Sequence, residues 1–62
     1  MFGRYQIWRS DTDGLWYWHL RAANGEVICA SQGYQDLASA RKGIRSVRLN
    51  APLSRVTIGS SA

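Results

Sequence analysis

Cys29 and His19 are the only thiol and the only imidazole in this 62-residue chain. They are the side chains with nucleophilic and general-base chemistry near neutral pH. A thiolate–imidazole pair must sit within hydrogen-bond reach. Both residues fall in a predicted hairpin, where alternation sends them to opposite faces. Cys29 is expected opposite Leu20, as a structural thiol in the core. His19 points the other way, with no carboxylate to orient it. One cysteine forms no internal disulfide, and one cysteine with one histidine makes no zinc set. The acids have structural uses. Asp11 and Asp13 lie in the turn-forming run SDTDG, Glu26 flanks a turn, and Asp36 precedes a helix. No acid–base pair, triad or metal set emerges, so the reading is a non-catalytic chain without cofactor or metal.

The cations are more numerous than the acids, eight Lys and Arg against four Asp and Glu, a net charge of +4. At about 100° per residue, Arg41, Lys42, Arg45 and Arg48 share one sector of a helix beside its apolar stripe. Such a ridge can meet phosphates in an anion or a nucleic acid, or it can be a solvated face whose stems cover the core edge. A helix N-terminus at SQGYQD, with Ser31, Gln32 and Ser39 as further donors, is a second anion candidate. There Asp36 supplies its own negative charge to the same amides. No helix-turn-helix, zinc finger or RNP pattern is present.

The elements that position these groups follow from turn chemistry and periodicity. Residues 2–9 read as a strand, with 10–14 as a loop. Residues 15–23 and 26–31 read as a hairpin around Asn24-Gly25, expected as a type I′ turn. That turn pairs Ala23 with Glu26, Ala22 with Val27, Leu20 with Cys29 and Trp18 with Ser31. Trp16, Trp18, Leu20, Val27 and Cys29 then face inward, joined by Tyr5 and Ile7. Trp8, Tyr17, His19, Arg21 and Ile28 face outward, with Ala30. QGYQD breaks the strand, and residues 37–49 read as a helix capped by Asp36. Leu37, Ala40, Ile44 and Val47 form its apolar stripe. Gly43 inside it invites a close approach by a sheet ring such as Trp16, or by a partner. Residues 55–58, RVTI, have the composition of a last strand.

The sum is a two-layer α+β unit, an antiparallel sheet with one helix on one face, in the order β-β-β-α-β. Residues 1–58 make the domain, and 59–62 a loose tail. A core this small often gains stability from a second copy. The outward face has nothing in the chain to cover it, so Trp8, Tyr17, His19, Arg21 and Ile28 mark a dimer or partner surface. No apolar run approaches the length of a signal peptide or a membrane span, so a cytoplasmic location is expected.

The run GLWYWHLRAANGEVICASQGY followed by ASARKGIRSV resembles the YegP-like family of small bacterial domains of unknown function. The shared pattern comprises the aromatic pair around Trp16–Trp18, Leu20, the Ala-Ala-Asn-Gly hairpin, the Gly33-Tyr34 break and the Ala/Gly/Ile/Val helix. It spans about residues 3–58. Members hold one such unit or two in tandem, so the resemblance implies a homodimer for a single-unit chain. It implies no reaction, cofactor or catalytic residue. Leu37 departs from the pattern, standing where a polar or basic residue is expected.

Overall fold

The computed structural model describes residues 2–59. Strand β1 (Arg4–Arg9), β2 (Trp16–Arg21) and β3 (Val27–Ala30) are followed by helix α1 (Leu37–Asn50) and a 3₁₀ turn (Ala51–Leu53). The three strands form one antiparallel sheet in the order β1-β2-β3. One helix against one sheet gives the expected two-layer α+β unit.

The β1 register pairs Tyr5 with Leu20 and Ile7 with Trp18 on the inner face, and Trp8 with Tyr17 on the outer. The loop between β1 and β2 is tied by Gly14 N–H to Ser10 O at 2.9 Å and Ser10 N–H to Leu15 O at 2.8 Å. Gly14 takes φ 71°, a left-handed conformation that glycine adopts without steric penalty.

The second hairpin departs from the type I′ expectation. Only Gly25 has positive φ, at 91°, and Asn24 does not. Gly25 N–H donates to Ala22 O at 2.9 Å, and Ala22 N–H to Glu26 O at 2.8 Å. The loop therefore has three residues, Ala23, Asn24 and Gly25, with glycine last in the left-handed position. Asn24 Oδ1 accepts from Glu26 N–H at 3.0 Å, which holds Asn24 outside that region. A three-residue loop shifts the pairing by one, so Val27 pairs with Arg21 rather than with Ala22. An irregularity at Leu20/Arg21 absorbs the extra residue, and Leu20 pairs with Cys29 and His19 with Ala30 as expected. Val27 is thereby moved from the inward set into register with outward-facing Arg21.

Helix α1 is capped by Asp36, whose Oδ1 accepts from Ser39 N–H at 2.7 Å. It runs one residue beyond the predicted end. Pro52 is accommodated in the 3₁₀ turn, where the lost N–H needs no helical partner. Ala40 is fully buried, and Gly43, Ile44 and Val47 are half-buried along the same stripe. Leu37, at the helix start, is exposed.

Two further sequence expectations are corrected. Residues 55–58 form no strand: no ladder reaches them, and Val56 and Ile58 are each 94% exposed. Composition suited a strand, but strand formation needs an edge to pair with, and the chain does not bring these residues to one. Cys29 is exposed rather than buried. It faces inward opposite Leu20, but the helix packs over β2 and leaves all four residues of β3 open to solvent. Of the tail expected at 59–62, only Gly59 falls within the described residues.

Candidate functional site

The outer face brings together Trp8, Tyr17, His19 and Arg21 of the side chains that the alternation assigned to it. Trp8 stacks on Tyr17, with ring centroids 6.1 Å apart and planes at 22°. It also lies against His19, centroids 4.9 Å apart. A polar row runs beside the rings. His19 Nε2 is 2.6 Å from Gln6 Oε1, and Arg21 Nε donates to the same oxygen at 3.0 Å. Arg21 Nη1 donates to Gly25 O at 2.6 Å, which fastens the side chain to the hairpin loop. Ile28 and Val27 are open on β3, at 61% and 50% exposure. Gln6 was not singled out from the sequence. Strand alternation alone places it opposite His19 once the β1 register is known.

At one end of this face Tyr17 donates its hydroxyl to Asp13 Oδ2 at 2.5 Å, while Asp13 Oδ1 accepts from Leu15 N–H at 2.9 Å. The Tyr17 hydroxyl, and then the Leu15 amide, hold the Asp13 carboxyl below its ordinary value. The same bond to Asp13 pushes the Tyr17 hydroxyl up. The contact anchors the loop before β2 and is a structural use of the acid, as the turn chemistry suggested.

The basic side chains occupy the other layer. Arg41, Arg45 and Arg48 rim a groove of about 580 Å³ whose apolar lining is Ile7, Ile44 and Leu49. Lys42 joins Arg41 and Arg45 around a shallower depression next to Leu37 and Ala38. All four cations are exposed, and α1 contains no carboxylate. The groove is the feature that sequence reasoning missed. Ile7 and Ile44 were each assigned to the core, but the gap between them depends on where the helix crosses the sheet.

The helix N-terminus offers less than its sequence promised. Asp36 takes the Ser39 amide, and the same bond holds the Asp36 carboxyl below its ordinary value. Ser31 Oγ accepts from Trp18 N–H at 2.9 Å and donates to Gln32 O at 2.8 Å. These donors and acceptors are used within the fold. Cys29 and His19 lie on opposite faces of adjacent strands, which is no arrangement for a thiolate–imidazole pair.

A short antiparallel sheet carrying one helix, with rings on its bare face and arginines along the helix, defines the class: a minimal α+β unit of β-β-β-α order. The pattern of the family described as "Domain of unknown function (DUF1508)" matches residues 11–57, and the chain belongs to this YegP-like family. It is 44% identical over 48 residues to a UPF0339 protein of Methanosarcina acetivorans, covering 77% of this chain and 83% of that one. It is 43% identical to a UPF0339 protein of Photorhabdus laumondii, covering 86% of this chain and 46% of that one. A third relative, the UPF0339 protein YegP of Yersinia pestis, is 42% identical over 81% of this chain and 44% of its own length. The chain thus spans most of one relative and less than half of the other two. The methanogen shows that the family extends beyond bacteria. The solution structure of a protein from Haloferax volcanii superposes with a TM-score of 0.81 at 25% identity, covering 94% of this chain and 97% of that one. Among the described residues no helix is long and apolar enough to cross a membrane.

Proposed function

We propose that the protein acts without catalysis, as a homodimeric interaction module whose outer sheet face meets its partner. One observation carries this reading: among the described residues only Trp18 and Ala40 are buried hydrophobics. Nine large apolar side chains stay exposed, among them Trp8, Ile28, Leu49, Val56 and Ile58. A domain of this length is marginal even when well packed. Association with a second copy removes more of that surface from water. Trp8, Tyr17, His19 and Arg21 lie side by side on the outer face, rings with one cation, and Ile28 adds an exposed aliphatic side chain on β3, a composition common at interface cores. Relatives such as those of P. laumondii and Y. pestis, more than twice the length of the matched stretch, leave room for two such units in one chain. Light scattering after gel filtration tests the reading. The expected mass is twice the 7.0 kDa of the chain. A mass of one chain at every concentration overturns it.

A second reading, anion or nucleic-acid binding through Arg41, Lys42, Arg45 and Arg48, is favoured by a different observation. The four cations lie together on a helix with no acid of its own. Retention on single-stranded DNA that falls steeply with salt supports it, and no retention at low salt removes it.

A further inference from the structure

Two arginines stand directly opposite each other at the hairpin end of the outer face. The register pairs Arg4 of β1 with Arg21 of β2, at the far end of the strands from the Trp8–Tyr17 pair. Side chains so placed have Cβ atoms about 5 Å apart, and like charges there destabilise a sheet. The bonds of Arg21 go to neutral acceptors. Its Nε donates to Gln6 Oε1 at 3.0 Å and to His19 Nε2 at 3.3 Å, and its Nη1 to Gly25 O at 2.6 Å. They fix the guanidinium without neutralising it and leave Nη2 free to donate. A Cβ at Gly3 would strike Arg21 O, so the chain entering β1 passes close against β2 and brings Phe2 beside the pair. Phe2, Arg4, Arg21, Ala22, Ala23 and Gly25 line a pocket of about 220 Å³. That is below the ~300–1,000 Å³ of sites for drug-sized ligands, so the occupant is small. Glu26, the acid of the hairpin, is not among the lining side chains.

We propose that this pocket binds a phosphoryl group, free or carried as a small monoester, between Arg4 and Arg21. Charge selects the ligand. A phosphate monoester carries about −1.5 to −2 near neutral pH, which matches two facing guanidinium cations, and its three oxygens accept donors from two directions. A carboxylate has one charge and two oxygens, enough for a single guanidinium fork. Bound here, the anion turns the repulsion between the two arginines into two attractions. Arg21 is held by Gln6, His19 and Gly25 before any ligand arrives, so it loses less freedom on binding than an unbraced side chain. The pocket is separate from the helix ridge. It uses none of Arg41, Arg45 and Arg48, and it requires no second copy.

The test titrates the whole chain with inorganic phosphate, and separately with glycerol phosphate, against sodium chloride of equal ionic strength. The arginine Nε–Hε signals and the backbone amides are followed by nuclear magnetic resonance. Saturable shifts at Arg4, Arg21, Ala22 and Gly25 are expected with at least one of the two phosphates and not with chloride. The tighter of the two distinguishes a free ion from an ester. Arg4→Gln is expected to weaken binding about tenfold, the loss of one charge-assisted contact. Its fold should persist, because Arg4 is exposed on an edge strand. Shifts that chloride reproduces overturn the proposal. Shifts confined to Arg41, Arg45 and Arg48 overturn it while the ridge reading stands. Undiminished binding in Arg4→Gln overturns it as well.

Discussion

The hydroxyl of Tyr34 fills the space that a Cβ at Gly43 would need. Such a Cβ would fall against that oxygen, 2.8 Å from the ring carbon Cζ and 3.1 Å from Trp18 Nε1. Tyr34 is fixed on the sheet side by reciprocal backbone bonds with Trp16, each 2.8 Å. The helix can approach β2 only because position 43 carries no side chain. The sequence pointed to a ring approaching here, and the rings that do so are Tyr34 and Trp18 rather than Trp16.

Gly43→Ala sets two effects against each other. Alanine gains about 1 kcal/mol in helix propensity, whereas overpacking costs about 1–3 kcal/mol. Because the clash involves a ring held by its own backbone, packing wins and the melting temperature falls. Adding Tyr34→Phe removes the nearest atom and is expected to restore part of the loss. A single variant that melts at or above wild type contradicts this.

Asp36→Ala removes the acceptor for the Ser39 amide and lowers the melting temperature by several degrees. The Asp36 carboxyl sits below its ordinary value in the folded chain. Its stabilisation is present above the unfolded value and is lost as pH falls through the folded one. The difference between wild type and variant should therefore be largest near neutral pH and vanish in strong acid. Thermal melts across the acid range read this directly.

Tyr17→Phe tests the loop anchor. With the hydroxyl gone, the Asp13 carboxyl rises toward its ordinary value, because its largest stabilising contact is lost. Carboxyl carbon shifts followed in a pH titration measure the change. The alkaline side carries the opposite sign. The Tyr17 hydroxyl is raised by Asp13, so its contribution is present below the unfolded value and fades as pH climbs through the folded one. In the Phe variant that alkaline loss is absent.

The helix ridge and the outer face are separable by mutation because they lie on opposite layers. If the ridge meets single-stranded DNA, Arg41→Gln/Arg45→Gln/Arg48→Gln weakens binding and flattens the salt slope by about 3, roughly one per lost phosphate contact. Trp8→Ala leaves that slope unchanged and weakens contacts made by the sheet face. Loss of DNA binding in Trp8→Ala with none in the arginine variant would reverse the assignment.

Much of the architecture was legible because it rests on local rules. The alternation of Trp16, Trp18 and Leu20 fixed the inner face, and the Asp36 cap and the 37–47 stripe fixed the helix. The hairpin loop misled for a physical reason. Asn-Gly suits a type I′ turn, but the Asn24 side chain finds the Glu26 amide and only Gly25 turns left-handed. The exposure of Cys29 and the groove beside Ile7 depend on where one helix crosses three strands, a matter of side-chain volumes at Gly43 and Ala40 that periodicity does not report. For residues 55–58, composition announced a strand, but a strand needs an edge to pair with, and the chain does not bring these residues to one.

Trp18 is the one tryptophan of the three that is buried, 4% exposed, and its Nε1 makes no hydrogen bond among the described residues. Tyr5 meets its ring edge-on, with centroids 5.7 Å apart. An indole proton in this position has no acceptor to hold it and no solvent to trade with. Its exchange with deuterium is expected to await the lifting of the helix off the sheet, and the exchange rate of this proton measures that opening. The same burial is expected to place the ring's emission to the blue of that of Trp8, which is 41% exposed. Nature has placed in this small fold a built-in optical and isotopic reporter, at the seam between its two layers.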